Sequence, residues 1–302
     1  MIKNRVLVLG GNGFIGRNLC ALFCENGWKV TSFDLEKPES VNENINYIEG
    51  NFFDDQQLET AIHNQDVIIH AISTISPGNS NIKYMQGYQG DLVQTVKLSE
   101  MLVGTNKKMI FLSSGGTVYG DQKKQPIVEE TMTMPINHYG CTKICIENIL
   151  RTFNIQFKTN FTIVRIANPY GPGQDYKKGV GFVDAAVKKA LLGDEIEIWG
   201  DGETIRDYIY ISDVCDMIYS LVNYHGPNDT FNISSGEGKS QNEIMELLKE
   251  QGYKFTVNYK KARNVDVKKI ILDNSKICSV YKKDLIPFEK GLQMYCDYLA
   301  SN

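Results

Sequence analysis

Apolar and polar positions change period along the chain. Val6 to Leu9 is a short continuous apolar run, whereas Phe14 to Asn26 carries its apolar residues at helical spacing. The exchange of period repeats through strand Lys29 to Phe33, strand Ile45 to Ile48, helix Asp55 to His63, strand Val67 to His70, helix Tyr84 to Leu102 and strand Met109 to Leu112. Strands alternating with helices predict an α/β fold, a doubly wound parallel sheet with helices on both faces. Helix Tyr139 to Phe153 and strand Phe161 to Ile166 follow, and Asn168-Pro-Tyr-Gly-Pro-Gly173 then marks a sharp exit from the sheet. Beyond it the elements shorten: helix Val183 to Leu192, strand Ile196 to Ile198, and the alternating run Ile205 to Ile211. Helix Ser212 to Tyr224 and strand Thr230 to Ile233 are expected back in the sheet, and helix Gln241 to Gln251 with strand Phe255 to Tyr259 outside it. The expected division is residues 1–168, with 209–234 returning, and a smaller α/β lobe from 169–208 and 235–302.

Composition narrows the class more than the chemistry. A chain of 302 residues with 42% hydrophobic content can bury a sizeable core. A formal charge of −4, with Lys and Arg scattered, leaves no electrostatic footprint for nucleic acid or an anionic membrane. No apolar run approaches the about 18 residues of a membrane span. The first strand starts within a few residues of Met1 without a leader pattern, so the expected compartment is the cytoplasm. The seven cysteines include no Cys-x-x-Cys pair, and none of the four histidines sits at ligand spacing, so no metal site is expected. Cys20/Cys24 and Cys141/Cys145 read as small apolar residues on helices in a reducing compartment.

Two constellations carry chemistry. Gly10, Gly13 and Gly16 lie between a strand and a helix, with an acid, Asp34, about 20 residues on at the end of the second strand. Gly10 suits a tight turn, Gly13 the close approach of a pyrophosphate and Gly16 helix–strand packing, with the phosphates over the helix N-terminus at Phe14 and Ile15. Asp34 can accept from the adenosine ribose hydroxyls and would repel a 2′-phosphate, which favours NAD over NADP. In the second constellation Tyr139 and Lys143, four apart, fall on one helix face. A phenol with a pKa of about 10 is a poor base at neutral pH; a nearby ammonium, helped by a second positive charge such as an oxidised nicotinamide, brings it into range to take a proton from a hydroxyl.

With Gly10-x-x-Gly13-x-x-Gly16, Ser113-Ser-Gly-Gly-Thr-Val-Tyr-Gly120 and Tyr139-Gly-Cys-Thr-Lys143 in place, the chain resembles the extended short-chain dehydrogenase/reductases. It is similar specifically to the NAD-dependent nucleotide-sugar epimerases and dehydratases of the UDP-glucose 4-epimerase type, over nearly its whole length. The resemblance implies a Rossmann domain, NAD as cofactor, a nucleotide-sugar substrate (UDP-linked) and a homodimer through the helices near Tyr84 to Leu102 and Tyr139 to Phe153. It places Asn51 and Phe52 at the adenine, Ala71 and Ser73 in the loop beside the nicotinamide ribose, and Lys143 on that ribose. Asn168, Arg206, Arg263 and Asp266 then contact the sugar nucleotide, Arg206 with a bidentate grip on the diphosphate. The chain also departs from the family. Gly115 stands where sugar epimerases carry a third serine, so Thr117, Ser114 or a water would orient the substrate hydroxyl, Thr117 first among them. Gly115-Gly116-Thr117 lacks the acidic pair of the 4,6-dehydratases, and Asp91 stands where relatives usually carry asparagine. Ile270 falls near a position that is a bulky tyrosine in some glucose/galactose epimerases, leaving space for an N-acetyl group. The leading expectation is NAD-dependent 4-epimerisation of a UDP-hexose or UDP-N-acetylhexosamine through a 4-keto intermediate. A nucleotide-sugar dehydratase or keto-reductase is the alternative, and a dinucleotide-sensing binding protein the alternative of another class.

Overall fold

The computed structural model describes residues 4–178, 181–261 and 267–301. The chain divides into two compact units, Met1–Ser114 with Asn137–Arg165 and Cys215–Phe231, and Gly115–Ile136 with Ile166–Val214 and Asn232–Asn302.

The first unit is built on β1 (Arg5–Leu9), α1 (Phe14–Glu25), β2 (Lys29–Asp34), β3 (Ile45–Glu49), α2 (Asp55–Ile62), β4 (Val67–His70), a helical run, β5 (Lys108–Ser114), α6 (His138–Phe157) and β6 (Asn160–Ile166). The helical run comprises α3 (Tyr84–Gln86), a π-helical stretch Gly87–Leu92 and α4 (Val93–Leu102). With β10 (Thr230–Ile233) the strands form one seven-stranded sheet in the order β10-β6-β5-β4-β1-β2-β3. β1 pairs in parallel with β2 and with β4, so chain order reverses between β1 and β4. At that switch point the carboxyl ends of the strands leave a crevice for a ligand. The strands are continuous apolar runs because both faces are covered: Leu7, Leu9, Phe33, Ile68, Met109 and Phe111 share one buried cluster with Leu98 and Ile146 from the helices. Local chemistry fixes the helix ends. The Asp54 side chain accepts from the Gln56 and Gln57 amides to start α2, and Asn137 accepts from Gly140 to start α6.

The second unit holds α5 (Gly115–Val118), β7 (Asn168–Tyr170), α7 (Phe182–Leu192), β8 (Ile196–Trp199), β9 (Ile205–Tyr210), α8 (Ile211–Val222, shared with the first unit), β11 (Gly238–Ser240), α9 (Gln241–Glu250), β12 (Val257–Lys260), β13 (Lys269–Ile270), α10 (Ser275–Val280) and α11 (Phe288–Ala300). Strand β9 is its hub, pairing with β7, β11 and β13. A second core gathers Tyr170, Val187, Tyr208, Ile244, Leu292 and Tyr295. Helix α9 starts with a reciprocal capping box between Ser240 and Glu243.

Several boundaries differ from the sequence expectation. β5 runs on through Ser114 and passes directly into a helical turn. α6 extends to Phe157, where Lys158 with φ 56° ends it. The run expected as one helix over Tyr84 to Leu102 contains the π stretch. Helix α11 was not anticipated, although Phe288, Leu292, Tyr295 and Cys296 are its buried positions at i, i+4, i+7 and i+8.

Candidate active site

The glycine turn lies at the switch point. Gly10 has φ +83°, a conformation open to glycine, and its amide donates to Phe33 O at 2.9 Å. A Cβ on Gly16 would fall 2.1 Å from Gly10 O, so only glycine lets α1 approach the turn this closely. Gly13 is the N-cap of α1 and brings no side-chain cap, so the amides opening the helix at Phe14 and Ile15 have no side-chain acceptor in the cap position. Asp34 Oδ2 accepts from the Asn12 amide at 2.9 Å and Oδ1 from the Leu35 amide at 2.8 Å, which ties the end of β2 to the turn. Ala71 completes the floor: its amide donates to Leu9 O at 3.0 Å, and its carbonyl carbon lies 3.2 Å from where a Cβ on Gly10 would be. A turn that needs glycine, an uncapped helix N-terminus and a carboxylate at the end of β2 suit a dinucleotide. Asn51 is exposed and folds back, its Oδ1 accepting from Phe53 N at 3.0 Å. The side chain of Phe52 is 3% exposed and packs in the core, 5.2 Å from the His70 ring.

Half-buried Tyr139 and buried Lys143 lie on one side of α6. Lys143 is 4% exposed; its Nζ donates to Leu112 O at 3.1 Å and lies 4.8 Å from the Phe111 ring and 5.5 Å from the Tyr139 ring. Burial pulls the Lys143 ammonium down to about 8, against the carboxylates of Asp91 and Glu147. Burial, with the Asp91 charge second, pushes the Tyr139 phenol above its ordinary range. The protein alone therefore keeps the phenol protonated, and a further cation is needed to make it a base. Next to Lys143, burial holds His70 neutral, down to about 3, with the Lys143 charge adding to the effect.

Of two further groups around this pair, the sequence reading missed Glu147 and noted Asp91 only as an acid in place of the usual asparagine. Glu147, fully buried, accepts from Ser113 Oγ at 2.6 Å and forms an ion pair with Arg165 at 2.7 Å and with Arg151 at 2.8 Å. It pins α6 to the residue before Ser114, and its place four residues after Lys143 was the available signal. Asp91, on the π stretch, accepts from Ser73 Oγ at 2.9 Å and from Thr74 N at 2.9 Å and Thr74 Oγ1 at 2.7 Å. It thereby occupies itself with the loop after β4.

In the second unit Thr117 lies on α5, and its Oγ1 is buried with no hydrogen-bond partner among the described residues. An orphaned hydroxyl of this kind is costly unless a ligand uses it. Asn168 Nδ2 donates to Asp207 O at 2.9 Å, and its Oδ1 is 3.6 Å from where a Cβ on Gly116 would stand. Arg206 sits on β9 and donates from Nη1 to Ile205 O at 2.9 Å. Its neighbour Asp207, fully buried, accepts from Ser235, Gly236 and Leu272; burial pushes its carboxyl up to about 6 against those hydrogen bonds. Ile270 is 2% exposed on β13, packed within the sheet. Arg263 and Asp266 lie outside the described residues. Among the described residues no group of three or more His, Cys, Asp or Glu is placed to hold a metal, and no helix is long and apolar enough to cross a membrane.

Known proteins with this architecture are numerous. A putative UDP-glucose 4-epimerase of Methanocaldococcus jannaschii is 29% identical, covering 98% of this chain and 99% of the relative. A dTDP-4-dehydro-6-deoxyglucose reductase of Escherichia coli is 31% identical, covering 90% of this chain and 89% of its own. The crystal structure of UDP-glucose 4-epimerase from Thermotoga maritima with UDP-glucose superposes with a TM-score of 0.93 at 32% identity, covering 98% of this chain and 99% of that one. The sequence profile of the NAD dependent epimerase/dehydratase family matches residues 6–234, and the chain belongs to that family.

Proposed function

We propose that the protein is an NAD-dependent 4-epimerase of a UDP-hexose or UDP-N-acetylhexosamine, working as a homodimer in the cytoplasm. The observation that carries this reading is the buried Lys143 ammonium held 5.5 Å from the Tyr139 ring on one helix face. NAD, when bound, supplies the hydride acceptor for the sugar C4–H. Gly10, Gly13 and Gly16 hold its pyrophosphate against the start of α1, Phe14 and Ile15 offer amides, Asp34 takes the adenosine ribose, and Asn51 and Phe52 border the adenine. Ala71, Ser73 and Lys143 border the nicotinamide ribose. Tyr139 Oη takes the proton of the sugar 4-hydroxyl, and Lys143 stabilises the phenolate through its charge. Thr117, with Ser114 at the end of β5, orients that hydroxyl; the buried, unpartnered Thr117 Oγ1 supports this. Asn168 and Arg206, with Arg263 and Asp266, grip the nucleotide diphosphate and ribose, so that the 4-keto sugar turns over about its diphosphate linkage. Tyr139 then returns the proton to the new 4-hydroxyl. On this reading residues 1–168, with 209–234, bind the cofactor, and 169–208 with 235–302 bind the sugar nucleotide.

The exposed Tyr84, Met85 and Val93 before and on α4, and Ile155 and Phe157 on α6, supply apolar surface for the dimer. Seven free cysteines suit a reducing compartment. Purified protein incubated with UDP-glucose, UDP-N-acetylglucosamine or UDP-glucuronate, without added cofactor, is expected to yield a 4-epimer visible at the anomeric proton by NMR. Sugars unchanged even after NAD is supplied would reject the assignment on these substrates. A second reading, keto-reduction of a nucleotide sugar, draws on Gly115, which has no hydroxyl where epimerases carry serine, and on the 31% identity to the E. coli reductase. Net consumption of reduced nicotinamide with a 4-keto sugar identifies it.

A further inference from the structure

Asp91, on the π stretch that packs against α6, holds the loop after β4. It is 3% exposed, and its two oxygens are met by the Thr74 amide at 2.9 Å, by Thr74 Oγ1 at 2.7 Å and by Ser73 Oγ at 2.9 Å, whose single proton also has Ile75 O within reach at 3.0 Å. Its own carbonyl accepts from Thr95 Oγ1 at 2.6 Å, and that hydroxyl is 2.9 Å from His70 Nε2. Because Thr95 donates its only proton to Asp91 O, His70 must donate through Nε2. The π stretch that carries Asp91 is seated with equal closeness. A Cβ on Gly87 would fall 2.4 Å from Ile75 Cδ1 and 3.0 Å from Thr142 Oγ1, so the stretch lies in contact with both the loop and α6, beside Tyr139 and Lys143.

We propose that Asp91 is a positioning residue of this site: it clamps the loop Ser73–Ile75 to the π stretch beside α6 and keeps a negative charge next to Tyr139 and Lys143. The inference rests on the reading of that pair as the working acid and base. The clamp fixes the loop that borders the nicotinamide ribose on the proposed reading. The charge acts on both members with one sign, since a neighbouring anion favours the protonated form of a phenol and of an ammonium alike. Asp91 thus opposes the burial that drives Lys143 to lose its proton, and raises the phenol as well. The other groups facing the pair are His70 from β4, which is neutral, and Glu147 on α6, whose charge is shared with Arg165 and Arg151. Among the described residues Asp91 is met by hydroxyl and amide donors, where Glu147 is met by arginines.

Asparagine and alanine separate the two roles. In Asp91→Asn the amide oxygen still accepts from Thr74 N–H and the amide nitrogen can donate to the Ser73 or Thr74 hydroxyl, so the clamp persists and the charge is gone. Asp91→Ala removes both. The test uses NAD-loaded protein with lysines labelled by 13C at Cε, the Lys143 signal assigned by its loss in Lys143→Met, and hydrogen exchange read on peptides covering 71–76. In Asp91→Asn the Lys143 titration midpoint should move to lower pH while exchange in 71–76 stays within about twofold of wild type. In Asp91→Ala the midpoint should fall in the same direction and the Thr74 amide exchange roughly tenfold or more faster, the effect of one lost bond to a charged acceptor. If Asp91→Ala does not fold, Ser73→Ala/Thr74→Val removes the two side-chain donors and should speed exchange in the same peptide. A Lys143 midpoint in Asp91→Asn equal to or above that of wild type, or wild-type exchange in the clamp variant, overturns the proposal. Neither readout needs a sugar: a protein that shows both changes yet turns over no UDP-sugar loses the proposed reaction and keeps the role of Asp91.

Discussion

Replacing Lys143 by methionine keeps most of the stem's volume and deletes one charge. With the ammonium 5.5 Å from the Tyr139 ring, and an effective dielectric of about 20, its attraction for the phenolate is about 3 kcal/mol. That corresponds to roughly a 100-fold loss in the rate of a step that starts from the phenolate. The fold should suffer little. Leu112 O loses a donor at 3.1 Å, a cost of about 1–3 kcal/mol, but the desolvation penalty of a buried ammonium disappears with it. The pH dependence is the sharper readout. Burial holds Lys143 near 8 instead of its ordinary 10.5, so above pH about 8 the wild type loses its ammonium and the rate should fall. Lys143→Met has no such alkaline limb, and its rate should keep rising with pH as the phenol ionises. Stability follows the opposite sense: between about 8 and 10.5 the unfolded lysine binds the proton that the folded one has released, so wild-type stability rises with pH there, and the variant lacks this rise. Steady-state turnover of UDP-glucose or UDP-N-acetylglucosamine between pH 6 and 10, with urea melts at the same points, tests both. A variant with the wild-type rate and the same alkaline limb would refute the electrostatic role of Lys143.

Other perturbations probe the surrounding geometry. Gly16→Ala places a Cβ 2.1 Å from Gly10 O, which forces α1 off the turn; a loss of about 1–3 kcal/mol and protein purified without NAD, read from its 260/280 nm absorbance ratio, are expected. Thr117→Val removes a buried hydroxyl that has no partner among the described residues, so thermal stability should hold or rise by about 1 kcal/mol while turnover falls; unchanged turnover would remove Thr117 from the site. Glu147→Ala takes from the Arg165 guanidinium, 3% exposed, the carboxylate it meets at 2.7 Å, and should cost about 3–5 kcal/mol in urea unfolding, whereas a loss under about 1 kcal/mol would mean that the cluster is solvated.

The sheet and its helices were legible because continuous apolar strands and i, i+4 helices are distinct periods, and because a strand, three spaced glycines and an acid leave few alternatives. What stayed hidden was of two kinds. The π stretch has no periodic signature: Gly87-Tyr-Gln-Gly90 reads as an ordinary helix with two weak formers. Long-range partners were equally out of reach. Asp91 was visible as an acid in an unusual place, but its contact with Ser73 and Thr74, 18 and 17 residues away, depends on how the loop after β4 folds back. The sequence placed Tyr139 and Lys143 on one face; it did not show that burial and Asp91 set the phenol against ionisation. The interior polar cluster of Glu147 needed α6, β5 and β6 assembled before it could be read.

The π stretch Gly87–Leu92 puts a constraint on residue count. An α-helix turns about 100° per residue, so a π turn absorbs one residue that regular winding would not hold. Losing that surplus residue lets the stretch rewind as regular helix with Tyr84–Gln86 and α4 still in phase, whereas deleting a residue from the first turn of α4, which has none to spare, would swing the segment before it by about 100° relative to the rest of the helix. The bare side of Gly87 would leave Ile75 and Thr142, or Leu98 and Leu102 would leave the core they fill. Side chains at exposed positions such as Gln89 can vary freely, and the π stretch can give up its one surplus residue, but the number of residues in α4 cannot change. Insertions and deletions accepted elsewhere on the surface are expected to be rejected here.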